Sequence, residues 1–117
     1  MDTGKKLTGN YNDLKSHHDG ITTCAKALME RKNADYTNDS RGSGGCLGNF
    51  VKAEDFGICS AEEGVMVRLL DKVSRLTTLI RREARVHDEK LEDTVIDIVN
   101  YVIILSFMRS IRNPDSE

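Results

Sequence analysis

The chain lacks the pairings that would staple a small fold. Cys24, Cys46 and Cys59 are odd in number and fit no C-x-x-C spacing. That argues against a disulfide framework or a zinc site, and for three reduced thiols in a reducing compartment. Strands are missing too: no segment alternates strictly between apolar and polar residues, so the expectation is all-α. Residues 1–10 carry no apolar stretch of signal-peptide type. The apolar run 95–108 is interrupted by Asp97 and Asn100 and is too short, between interruptions, to span a bilayer. The expected setting is therefore cytoplasmic, without a membrane. Charge of one sign is also lacking. A net charge of -2, with 31% charged residues, gives no reason to expect direct DNA binding. Arg81, Arg82 and Arg85 cluster locally, where a helix end already favours them. No Ser-His-Asp, Cys-His or H-E-x-x-H arrangement stands out, and adjacent His17 and His18 point about 100° apart on a helix. The glycines of 42–48 match neither a P-loop nor G-x-G-x-x-G.

What is present is helical periodicity. At 117 residues the chain is expected to be a single domain. Asn12 or Asp13 caps a first helix reaching about Lys32, with Leu14, Ile21, Cys24, Ala25, Leu28 and Met29 on one face. Residues 37–59 read as a long irregular loop, pinned at several points by Tyr36, Leu47, Phe50, Val51, Phe56 and Ile58. Ser60 and Glu63 form a capping box opening a second helix, with Val65, Leu69, Val73, Leu76 and Ile80 on a broad apolar face. Asp88 caps a third helix that runs to about Arg112 and is stopped by Asn113 and the only proline, Pro114. Residues 1–11 and 113–117 are expected to be loose ends. The expectation is thus a bundle of three main helices, the second and third antiparallel. Residues 99–111 are apolar almost all round, more than one neighbour can cover, so a homo-oligomer (dimer or tetramer) through the third helix is expected.

Carboxylates carry the chemical question. On the third helix Glu89, Asp93 and Asp97 fall at i, i+4 and i+8 and stack along one face. Like charges four apart repel, and a divalent cation held by oxygen ligands relieves that repulsion. If the second and third helices meet near residues 84–88, Asp71 stands within about a turn of Asp97. Asp71, Asp93 and Asp97 then converge on one cation, with Glu89 or Glu92 nearer the turn and Lys72 and Arg75 beside them for phosphate oxygens. A solvated face with pairs such as Arg68 to Asp71 accounts for the same spacing. Tyr36, Asn49 and Phe50 offer two aromatics and an amide that would stack on or hydrogen-bond a base.

Several pieces occur in a fixed order: Lys32-Asn33-Ala34-Asp35-Tyr36, Asn49-Phe50, Arg68-x-x-Asp71-Lys72-x-x-Arg75-Leu76, Asp88-Glu89, and Asp93-Thr94-x-x-Asp97-x-x-Asn100-Tyr101. Together they resemble a family of small phage and bacterial proteins described as a nucleotide-modification-associated domain. That family is similar to the all-α nucleoside triphosphate pyrophosphatases of the MazG and dUTPase-like group. The resemblance covers roughly residues 12–110. It implies a helical oligomer, in a host cytoplasm if phage-encoded, that binds a nucleoside triphosphate with Mg²⁺ (or Mn²⁺). Catalytic relatives release the monophosphate and pyrophosphate. By position Asp71 answers to the metal-holding acids of the first of two consecutive helices, and Asp93 and Asp97 to those of the second, as the catalytic set. Beside them Glu89 is a further candidate metal ligand, and Lys72, Arg75 and Asn100, with Tyr36 and Asn49, are candidate substrate-binding residues. The chain departs from the enzyme pattern. Arg68 stands where the catalytic group has the first acid of Glu-x-x-Glu, and the later acids are spaced by four. Asp35 is the remaining acid placed to supply an oxygen. The alternative implied is a protein that binds or sequesters a nucleotide, such as a host defence signal, without cutting it.

Overall fold

The structure is a computed structural model that describes residues 6–39, 45–82 and 88–115, with backbone alone for 35–39 and 88–90. The fold is all-α. Four α-helices follow one another: α1 (Tyr11–Asp39), α2 (Gly48–Asp55), α3 (Ala61–Arg81) and α4 (Asp88–Arg112), with a 3₁₀ turn over Gly45–Leu47. No strand occurs among the described residues.

Two boundaries differ from the sequence expectation. The cap of α1 is Asn10 rather than Asn12 or Asp13: its Oδ1 accepts the Asn12 amide at 2.7 Å, which satisfies a donor the helix cannot. At the other end α1 continues past Lys32 to Asp39, since residues 33–39 contain neither glycine nor proline to stop it.

The expected loop 37–59 is also not irregular throughout, because α2 lies inside it. Leu47, Phe50 and Val51 follow helical spacing, and Leu47 and Phe50 pack against the core. That tertiary contact outweighs the flanking glycines. Gly57, at φ +76°, closes α2: its amide reaches Glu54 O at 3.0 Å and the Ile58 amide reaches Ala53 O at 2.9 Å. This six-to-one, five-to-two pairing needs a left-handed residue, which glycine supplies at least cost.

The capping box forms as the sequence indicates. Ser60 Oγ accepts the Glu63 amide at 3.0 Å and Glu63 Oε1 accepts the Ser60 amide at 2.9 Å. Two ion pairs define α3 and α4 as antiparallel. Lys72 Nζ meets Asp97 Oδ2 at 2.9 Å, and ten residues earlier on α3, Glu62 Oε2 accepts from Arg112 Nε at 2.8 Å. Helix α1 lies across α4, where buried Ala25 presents its carbonyl to Asn100 Nδ2 at 3.1 Å.

The core is small. Ala61, Val65 and Met108 are buried together, with Leu47, Phe50, Tyr101, Ile104 and Leu105 packed around them. Within the apolar segment 99–111, Val102, Ile103, Phe107 and Ile111 are each about half exposed, because α1 and α3 cover only part of the α4 circumference. By length and composition Leu91–Arg112 would also cross a bilayer, a test that core helices of soluble proteins pass as well. Within it, Asp97 and Asn100 are tied to Lys72 and Ala25.

Arg112 fastens the end of α4 to the start of α3 and to α2. It donates to both Glu62 oxygens and to Glu54, while Glu54 Oε1 also accepts the Ala61 amide at 2.9 Å. The Ala61 N–H, then Arg112, hold the Glu54 carboxyl below its ordinary value of 4.5. The Arg112 hydrogen bond does most of the same for Glu62. Carboxyls depressed in the folded state contribute stability above the unfolded value and lose it as pH falls through the folded one. The melting temperature is therefore expected to drop as pH falls below the ordinary carboxyl value of 4.5. Arg112→Met should lower it at neutral pH and flatten that drop. An unchanged pH slope in the variant would show that other carboxyls carry the acid sensitivity.

Candidate functional site

One groove gathers residues from every element. It has a volume of about 440 Å³ and runs between the C-terminal half of α1, the segment 46–50, the groove-facing edge of α3 and the middle of α4. Helical phase explains the α4 wall: Asp97, Asn100, Tyr101, Ile104 and Phe107 recur at three- and four-residue steps and so share one side. The segment 46–50 contributes Cys46, Leu47, Asn49 and Phe50, and α1 contributes Met29, Glu30, Lys32 and Asn33.

The groove is mostly apolar with a few polar points, the usual make-up of a small-molecule site. Tyr101 and Phe107 provide rings along α4. Across from them the Arg68 guanidinium stands over Phe50, 5.3 Å from its centroid, a cation–π geometry that holds the ring in place. Its polar groups include the Asn49 and Asn100 amides, the Asp97 carboxylate and the Arg68 guanidinium. Asn100 spends one N–H on Ala25, which locks its amide orientation. Asp97 is only 20% exposed, and Lys72 compensates the charge that burial would otherwise penalise. Among the lining residues Lys32 and Arg68 match the carboxylates of Glu30 and Asp97 in number, and Lys72, outside the lining, pairs with Asp97.

The candidate residues divide cleanly. Asp97, Asn100 and Asn49 line the groove. Asp71, Asp93 and Arg75 are exposed and are not among its lining residues. Lys72, not Asp71, stands opposite Asp97. The side chains of Tyr36, Asp35 and Glu89 lie outside the described residues. Among the described residues no group of three His, Cys, Asp or Glu side chains comes together to hold a metal ion. Tyr101, Phe107 and Met29 were not picked out as site residues from sequence. For Tyr101 the signal was present, since it is four residues after Asp97 on the same face.

Eight residues of the ordered motifs meet in this groove: Lys32, Asn33, Asn49, Phe50, Arg68, Asp97, Asn100 and Tyr101. They come from four separate helices. Comparison with family models, with curated proteins and with solved structures returned no match.

Proposed function

We propose that this chain is a nucleotide-binding protein and that the groove beside Asp97 is its binding site. The observation that carries the reading is the meeting of those eight motif residues around a cavity of about 440 Å³. Its contents suit a nucleoside. Aromatic rings accept a stacked base of any identity, and carboxamides, which both donate and accept, pair with base edges. Lys32 and Arg68 at the rim give a phosphate group cationic partners, Arg68 with the planar fork that phosphate oxygens match. Binding of the phosphates frees Lys72 from no obligation, because Asp97 keeps its countercharge.

A second reading adds cleavage: a Mg²⁺-dependent pyrophosphohydrolase giving the monophosphate and pyrophosphate. It is favoured by Asp97 facing the groove one turn from Asp93 on α4. It also requires an acid beyond these two. The two readings separate in one experiment. The purified chain is incubated with each deoxynucleoside triphosphate, with and without Mg²⁺, and the products are resolved by ion-pair chromatography. Intact nucleotide retained by the protein is the expected outcome. Monophosphate plus pyrophosphate would replace it with the hydrolase, and neither binding nor turnover would remove both.

A further inference from the structure

The groove sets a charge problem for the ligand proposed for it. Its charged lining residues balance, Lys32 and Arg68 against Glu30 and Asp97. A balanced wall has little hold on a polyphosphate, and a bare carboxylate at Asp97 would repel one. Lys72 supplies the missing charge from outside the lining. Its Nζ stands 2.9 Å from Asp97 Oδ2, with the two side chains 31% and 20% exposed. The pair is better shielded than the Arg112 contacts, where the guanidinium is 46% exposed.

Helical phase brings this about. Arg68 and Lys72 are one turn apart on α3 and share a side. Arg68 reaches the groove and the Phe50 ring, and Lys72 reaches α4. On α4, Asp97 precedes Tyr101 by one turn, and both line the groove. The Lys72 ammonium therefore neutralises a wall carboxylate without itself lining the space that a ligand takes.

A hard divalent cation on Asp97 would perform the same neutralisation and would bridge carboxylate to phosphate. To reach Asp97 it must displace an ammonium tethered on the neighbouring helix, at a local concentration on the order of millimolar or more. Mg²⁺ must also give up water that it releases reluctantly. We infer that Lys72 is a built-in countercation of the groove, standing on Asp97 where a divalent ion would stand, so that phosphate is admitted with no metal bridge to that carboxylate. The admission of phosphate rests on the nucleotide reading of the groove. The competition between Lys72 and a divalent ion for Asp97 does not.

Lys72→Met keeps the reach of the side chain and removes its charge. Melting temperatures of the full chain are taken without nucleotide, in EDTA and in about 10 mM Mg²⁺ at matched ionic strength. The wild type should shift by less than about 1 °C. Lys72→Met should rise by at least about 2 °C in Mg²⁺, and adding Asp97→Asn should abolish that rise. Titration with each deoxynucleoside triphosphate extends the test. The ratio of affinity in Mg²⁺ to affinity in EDTA should be about tenfold larger in Lys72→Met than in wild type, a comparison in which Mg²⁺ binding to the free nucleotide cancels.

A Lys72→Met chain that melts lower yet ignores Mg²⁺ would make Lys72 a structural staple and overturn the inference. Should that variant not fold, the wild type decides: a Mg²⁺-dependent rise that Asp97→Asn removes overturns it, and a flat response supports it. If no chain binds nucleotide, the nucleotide reading fails, while the melts with metal alone still decide the part played by Lys72.

Discussion

Met108→Ala is expected to cost about 3 kcal/mol, within the range for large-to-small changes in a core. Met108 is 4% exposed and sits with Ala61 and Val65 at the junction of α2, α3 and α4. The surrounding helices are held by ion pairs and caps at fixed positions, so the site has little freedom to collapse around the missing side chain. For a domain of this size each kcal/mol shifts the melting temperature by roughly 4–8 °C. The drop should therefore exceed about 10 °C. Ile111, one turn on and 57% exposed, provides the contrast: Ile111→Ala should change stability by less than about 0.5 kcal/mol. Differential scanning calorimetry of the two variants checks both. Equal effects would mean that the three-residue cluster is not the centre of the fold.

The second large effect concerns the groove. Phe107 is half exposed and lines the cavity, whereas Phe50 and Tyr101 also pack on the core. Phe107→Ala therefore removes a stacking surface without opening the interior. Base–aromatic stacking contributes about 1–3 kcal/mol per base, so nucleotide affinity should fall by roughly 5- to 150-fold. The melting temperature of the free protein should stay within about 2 °C. Asp71→Asn is the companion variant. Asp71 is exposed and is not a lining residue, so nucleotide affinity should be unaffected. If Asp71→Asn abolished binding while Phe107→Ala left it intact, the site would lie on the outer face of α3 instead. Isothermal titration calorimetry on both variants distinguishes the outcomes.

Much of the architecture is readable directly from residue pattern. The Ser60–Glu63 box, the apolar period of α3 and the Asn113–Pro114 stop reproduce the structural boundaries closely. Helix α2 was harder to see because its eight residues span about two turns, and its apolar phase is short. Flanking glycines make the segment resemble a loop, and what fixes it as a helix is the packing of Leu47 and Phe50 on the buried Ala61, Val65 and Met108 cluster, which no local pattern announces. The length of α1 was underestimated for the opposite reason: weak helix formers after Lys32 do not end a helix unless something competes with it.

The site was legible in parts. Asp97, Asn100 and Asn49, singled out by residue type and spacing, line the groove. The partner of Asp97 could not be fixed, since α3 and α4 slide by fractions of a turn with the packing of their core residues. A displacement of one residue on α3 rotates the side chain about 100°, which exchanges Asp71 for Lys72. That exchange turns an expected acidic pair into an ion pair.

The groove is the centre of this account, and calorimetric titration of the wild-type chain with the four deoxynucleoside triphosphates, each with and without Mg²⁺, tests it most directly. The account predicts saturable binding of at least one nucleotide, one per chain, with Kd at or below about 100 µM. It also predicts that the affinity weakens in Phe107→Ala. No heat of binding from any nucleotide up to about 1 mM, in either condition, would contradict it.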